Sequence, residues 1–194
     1  MGLTLANVLT ILRMVVIPFF IMAVGYNRSG WALSLFVAAG ITDMLDGLIA
    51  RVWKQQTSVG AILDPMADKL LLTAAFVMLA LPDRPRAFPE LELVNRVPIY
   101  VVIITISRDV FISLISMVMY MTLGKTRFPP SLPGKLTTTV QIVTVCVLLL
   151  GNVLDRELYF IGPFLVWLSL ALTLVSGFHY IYLATRLANQ ESGP

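Results

Sequence analysis

Six apolar stretches alternate with short polar breaks along the chain, each close to the roughly 20 residues a helix needs to cross a bilayer. They run approximately 6–25, 31–53, 60–82, 97–121, 134–152 and 158–184. The breaks carry turn chemistry, with Asn27-Arg28-Ser29-Gly30, then Pro82 to Pro89, then Phe128-Pro129-Pro130 and Pro133-Gly134. The pattern predicts an all-α integral membrane protein of six transmembrane helices. No linker is long enough for a second domain and no repeat is visible, so 1–194 reads as one membrane domain.

One stretch breaks the apolar rule. Asp43 to Lys69 holds four of the chain's 11 acidic residues, Asp43, Asp46, Asp64 and Asp68, at the ends of two predicted spans. Residues three or four apart share a helix face, so Asp43 projects with Asp46 and Asp64 with Asp68. Two facing helices would bring all four carboxylates together. Buried like charges need neutralising cations, and an all-oxygen set suits hard divalent ions such as Mg²⁺ or Mn²⁺. Two such ions balance four charges, and paired-metal sites favour phosphoryl chemistry.

The intervening residues suit a phosphate-bearing ligand. Gly47 follows Asp46 and opens the helix backbone to close approach, and Ala50 is small one turn later. Arg51 offers a fork matched to phosphate oxygens. Gly60, four residues before Asp64, opens the second helix in the same way. The alternative is a set of helix-end charges snorkelling to the interface, which would not require these four residues in register.

Composition agrees with the membrane reading. The 194 residues are 58% hydrophobic and 13% charged, with a mean hydropathy of +0.86, whereas soluble domains carry about 25% charged residues. The net charge of +3 comes with no basic arm, so nucleic acid is not an expected partner. Cys146 is the single cysteine, which excludes an intramolecular disulfide. The first apolar run lacks a basic leader and a clear cleavage site, so it reads as a span and not a removable signal. Basic residues set the orientation. Nine (Arg13, Arg51, Lys54, Lys69, Arg108, Lys125, Arg127, Lys135, Arg186) fall on the side of both termini, and five on the other. Both termini and the carboxylates are therefore expected to face the cytoplasm across the inner membrane.

The complete pattern D-x2-D-G-x2-A-R-x8-G-x3-D-x3-D, from Asp43 to Asp68, resembles the signature of the CDP-alcohol phosphatidyltransferases. Near the amino terminus Asn7, Leu9, Thr10 and Arg13 form N-x-L-T-x2-R, similar to the phosphatidylglycerophosphate synthase branch of that family, with Leu5-Ala6 where a proline is usual. Residues 134–141 resemble the family's G-K-x-K-T-x2-Q through Gly134, Lys135, Thr138 and Gln141, but Thr137 replaces the second lysine.

The resemblance implies transfer of a phosphatidyl group from CDP-diacylglycerol to an alcohol, with release of CMP. Asp43, Asp46 and Asp64 would hold two divalent cations. Asp68 would contact the second ion and act as the catalytic base. Asp43, Gly47, Ala50, Arg51 and Gly60 would bind CDP-diacylglycerol, and Arg108 and Lys135 the acceptor. Glycerol 3-phosphate is the first acceptor expected. Phosphatidylglycerol, as in a cardiolipin synthase, is the rival suggested by Ser107-Arg108-Asp109 and Thr137. The family also implies a homodimer among membrane lipids.

Other polar residues leave two readings each. Arg13 either anchors its helix at the headgroups or meets a buried partner. Arg108 and Asp109 point about 100° apart on a helix, so they are not expected to pair simply with each other. Arg108 would then meet a phosphate or an interhelical carboxylate. Lys135 opposes the helix dipole, which suggests an anionic partner, or it is a cytoplasmic anchor. His179 reads as an interfacial hydrogen-bonder, and Tyr180 and Tyr182 as belt residues. An ion transporter would instead spread acidic groups through the depth of several helices, whereas here they gather at one end of two.

Overall fold

The computed structural model describes the backbone of residues 5–53, 60–123 and 132–191; within these, the side chains of 5–10, 44–53, 60–68, 116, 118–123, 184 and 187–191 lie outside the described set. Every described element is a helix: α1 Leu5–Gly25, α2 Ser29–Trp53, α3 Gly60–Ala80, α4 Ile99–Leu123, α5 Leu132–Val153 and α6 Ile161–Glu191. Each coincides with one of the six apolar stretches. The largest difference is α6, which continues to Glu191 because helix-forming residues outlast the apolar run. By length and composition, Leu132–Val153 and Ile161–Leu183 are long and apolar enough to cross a membrane.

The helix ends follow local chemistry. Asn27 takes a left-handed conformation (φ 55°) after α1. The amide of Arg28 then donates to Ala23 at 2.8 Å and that of Asn27 to Val24 at 2.9 Å, a Schellman cap that lets α2 start almost at once. Asp155 (φ 49°) ends α5 in a similar way, with the Arg156 amide donating to Gly151 at 3.0 Å. A Cβ on Gly25 would collide with the Phe88 ring, so this glycine lets the α3–α4 loop close over the end of α1.

The described residues form two compact units, one up to Val97 with Val145–Leu158, the other Pro98–Thr144 with Tyr159 onward; α5 runs through both. In the first, α1 packs against both α2 and α3. Its interior is built from Phe20, Val24, Ala32, Phe36, Ala39, Ala75, Phe76 and Leu79. The small side chains let helix backbones approach closely, as apolar surroundings demand when burial alone gives little drive.

A polar knot closes the same unit. Buried Asn95 donates its backbone N–H to Asn152 Oδ1 at 2.6 Å, and Asn152 Nδ2 donates back to the Asn95 carbonyl at 3.0 Å. The Asn95 amide donates to the Arg156 carbonyl at 2.8 Å and accepts from the Leu158 N–H at 2.8 Å. A Cβ at Gly151 would sit 2.6 Å from Asn95 Nδ2, so the knot also needs that glycine. Two side chains thus satisfy four backbone groups that would otherwise be stranded.

In the second unit α4 packs against α6. Thr137, Gln141 and Thr144 lie on one face of α5, all buried. Thr137 Oγ1 lies 3.0 Å from the Leu172 carbonyl, Gln141 Nε2 donates to Thr173 Oγ1 at 3.1 Å, and Thr144 Oγ1 lies 3.4 Å from the Leu165 carbonyl. These bonds join α5 to α6 where apolar side chains alone would not specify a register.

Replacing Asn152 by Leu leaves the Asn95 N–H and carbonyl buried and unsatisfied, and is expected to destabilise the protein by about 3 kcal/mol. The exposed Arg84–Glu92 pair gives the contrast: Arg84→Ala should change stability by less than about 1 kcal/mol. Thermal unfolding of the detergent-purified variants, followed by tryptophan fluorescence, checks both.

Candidate active site

Packing of α1 against α2 and α3 places a charged residue of α1 beside the acidic stretch. Arg13 is only 3% exposed, and its Nη2 lies 2.9 Å from Asp43 Oδ1. Arg13 is therefore not a headgroup anchor; it meets a partner, and that partner is a predicted metal ligand. The pairing fixes the direction of the Asp43 carboxylate, which stays 44% exposed and open to a ligand. The amino-terminal motif and the rarity of buried charge in an apolar helix were the signals for this residue.

The other members of the motif lie on the expected helices. Asp46, Gly47, Ala50 and Arg51 are on α2, and Gly60, Asp64 and Asp68 on α3, with side chains outside the described residues. Among the described side chains no group of three carboxylate, histidine or cysteine residues forms a metal cluster, since three of the four aspartates fall outside that set. Asp43 itself fits a hard cation: it supplies an anionic oxygen ligand, and an arginine behind a ligating carboxylate is a common supporting arrangement.

The second unit carries the predicted acceptor residues. Arg108 and Asp109 do pair, with Nη1 donating to Asp109 Oδ1 at 2.7 Å. This corrects the expectation from helix geometry. The Cα–Cβ directions of neighbours diverge, but the long arginine stem carries its guanidinium back around the helix. Arg108 also reaches α6, where its Nη2 donates to Ser176 Oγ, so among the described residues its interhelical partner is a hydroxyl and not a carboxylate. The Tyr180 ring centroid lies 5.9 Å from Arg108 Cζ, within range of a cation–π contact. Tyr180 is thus a partner of Arg108 within α6. Sequence reasoning missed Ser176 altogether, because a serine in a leucine-rich helix carries no pattern of its own.

A groove of about 330 Å³ runs beside this arginine, lined by Ser107, Arg108 and Phe111 of α4 and Thr173, Gly177 and Phe178 of α6. Arg108 Nε is buried without a hydrogen-bond partner among the described residues, as is His179 Nδ1. His179 packs edge-on to Tyr180, with ring centroids 6.4 Å apart. Lys135 lies exposed in the first turn of α5. Thr137, two residues on, is fully buried against α6, a place where a lysine ammonium would need a counter-charge.

These placements can be set beside known proteins. A family model described as CDP-alcohol phosphatidyltransferase matches residues 3–175. A Rickettsia felis protein named CDP-diacylglycerol–glycerol-3-phosphate 3-phosphatidyltransferase is 33% identical over 181 residues, covering 91% of this chain and 92% of its own. A Sodalis glossinidius protein of the same name is 34% identical over 190 residues, covering 95% and 96%. A Mycobacterium tuberculosis protein named probable phosphatidylglycerophosphate synthase is 30% identical over 190 residues, covering 94% and 82%. The similarity takes in all six helices from α1 into α6 and the unbroken aspartate motif on α2 and α3; this chain belongs to the CDP-alcohol phosphatidyltransferase family and is an enzyme.

Proposed function

We propose that the enzyme transfers the phosphatidyl group of CDP-diacylglycerol to glycerol 3-phosphate, giving phosphatidylglycerophosphate and CMP. The observation that carries this reading is the complete aspartate motif on α2 and α3, with Asp43 held by buried Arg13. The names of the relatives support the acceptor. The whole chain acts as one membrane domain of six spans, as a homodimer, with both termini and the site facing the cytoplasm. Large exposed apolar side chains such as Phe19, Phe164, Trp167 and Phe178 support a lipid-facing surface.

Asp43, Asp46, Asp64 and Asp68 would hold two divalent cations, Mg²⁺ or Mn²⁺. When bound, such ions neutralise the pyrophosphate and act as Lewis acids. Gly47, Ala50 and Gly60 leave room for the cytidine and its phosphates, and Arg51 pairs with a phosphate oxygen. Asp68 accepts the proton of the acceptor hydroxyl as its oxygen bonds to the lipid-bearing phosphorus. The bond from that phosphorus to CMP breaks, and CMP departs with the electron pair. Arg108 and Lys135 hold the phosphate of the acceptor.

Phosphatidylglycerol is the weaker acceptor reading. Ser107-Arg108-Asp109 and Thr137 suggest it, but the burial of Thr137 gives that threonine a packing role that says nothing of the acceptor, which leaves the first alone.

CMP release from CDP-diacylglycerol by the purified protein, with Mg²⁺ and each acceptor supplied separately, is the test. Release with glycerol 3-phosphate is expected, falling by about three orders of magnitude in Asp68→Asn. Release with phosphatidylglycerol alone would make the product a four-chain lipid and overturn the acceptor; release with neither would overturn the reaction. Under the same conditions Arg13→Ala should lower kcat about 10- to 100-fold at saturating Mg²⁺, as loss of a support behind a metal ligand does. Unchanged turnover in that variant would leave the Arg13–Asp43 pair a packing feature.

A further inference from the structure

Arg108 sits in the middle of α4 among apolar residues, and a guanidinium on a flexible stem there can point in many directions. Three contacts limit it: Asp109 Oδ1 at 2.7 Å, Ser176 Oγ, and the face of Tyr180 with its centroid 5.9 Å from Cζ. Ser176 and Tyr180 are four residues apart on α6 and so present one face to α4. Ser176 is fully buried. A buried hydroxyl in an apolar helix requires a partner, and here the partner it receives is the arginine.

The guanidinium has five N–H donors. Among the described residues two are engaged, by Asp109 and Ser176, and buried Nε is without a partner. Donors thus remain for an oxygen-rich anion at the edge of the groove between α4 and α6. The ring of Tyr180 holds the plane of the fork while Ser176 holds one end of it.

We infer that Ser176, assisted by Tyr180, is a positioning residue that orients Arg108 for the phosphate of the acceptor. The inference rests on the proposed role of Arg108 in acceptor binding. A pre-oriented fork loses less freedom when the anion arrives, so the benefit falls on acceptor affinity. Turnover and the affinity for CDP-diacylglycerol depend on the α2 and α3 residues and are unaffected.

The test is steady-state kinetics on purified full-length protein, varying glycerol 3-phosphate and CDP-diacylglycerol separately. Ser176→Ala is expected to raise the KM for glycerol 3-phosphate about tenfold, the size of one charge-assisted hydrogen bond. kcat and the KM for CDP-diacylglycerol should stay within about twofold, and Ser176→Thr, which keeps the hydroxyl, should restore most of the loss. Tyr180→Phe keeps the ring and should behave as wild type, whereas Tyr180→Leu should raise the same KM. Arg108→Ala separates the two levels of the argument. If Arg108→Ala raises that KM and Ser176→Ala does not, the positioning role is wrong. If Arg108→Ala leaves it unchanged, the acceptor-binding assignment fails instead. A uniform fall in kcat and both affinities, with a lowered unfolding temperature and no rescue by Thr, would make Ser176 structural and overturn the inference.

Discussion

A buried arginine beside a partly exposed aspartate joins the first helix to the aspartate motif of this enzyme. Arg13 is 3% exposed, and its charge requires a counter-charge in an apolar bundle. Asp43 supplies it across the α1–α2 contact at 2.9 Å. The bond does two things at once. It ties α1 to the helix that begins the aspartate motif, and it directs the first aspartate of that motif. If the four aspartates of the motif gather as proposed, one fixed cation beside the first of them would lower their mutual repulsion.

The rest of the fold uses polar bonds where soluble proteins rely on apolar burial. Helices in lipid gain little from hiding leucines from one another, so register has to come from small residues and hydrogen bonds. The Thr137, Gln141 and Thr144 face of α5 does this against α6. Asn95 and Asn152 do it for the loops of the other unit. In both cases the polar groups are fully engaged within the protein, which suits apolar surroundings that offer no water as substitute.

Much of this was legible in the sequence. The six helices are visible as apolar stretches, and caps such as Asn27 sit at the predicted breaks. The aspartate motif stands out because charge is rare in such a chain. Less legible was what each lone polar residue meets. Spacing along one helix said that Arg108 and Asp109 would not pair, yet they do, because rotamers of a long side chain are not set by Cβ direction. Ser176 and Asn95 carried no signal at all. Their roles depend on a neighbour 68 or 57 residues away, and one chain read alone holds no record of such proximity.

The threonine at position 137 shows how packing and recognition constrain each other. The family pattern has a lysine there, and a lysine could contribute to an anionic acceptor's binding. In this chain the position faces α6, fully buried, with its hydroxyl 3.0 Å from the Leu172 carbonyl. An ammonium group could not occupy that place without a counter-charge, and none of the described contacts there supplies one. The fold has therefore exchanged a possible phosphate contact for a helix–helix bond. On the proposed function, recognition of a phosphorylated acceptor would then fall on fewer cations, with Arg108 the first of them. A site with fewer charges must depend more on how well each is held. The contacts around Arg108, from its own helix and from α6, are what such a reduced set requires.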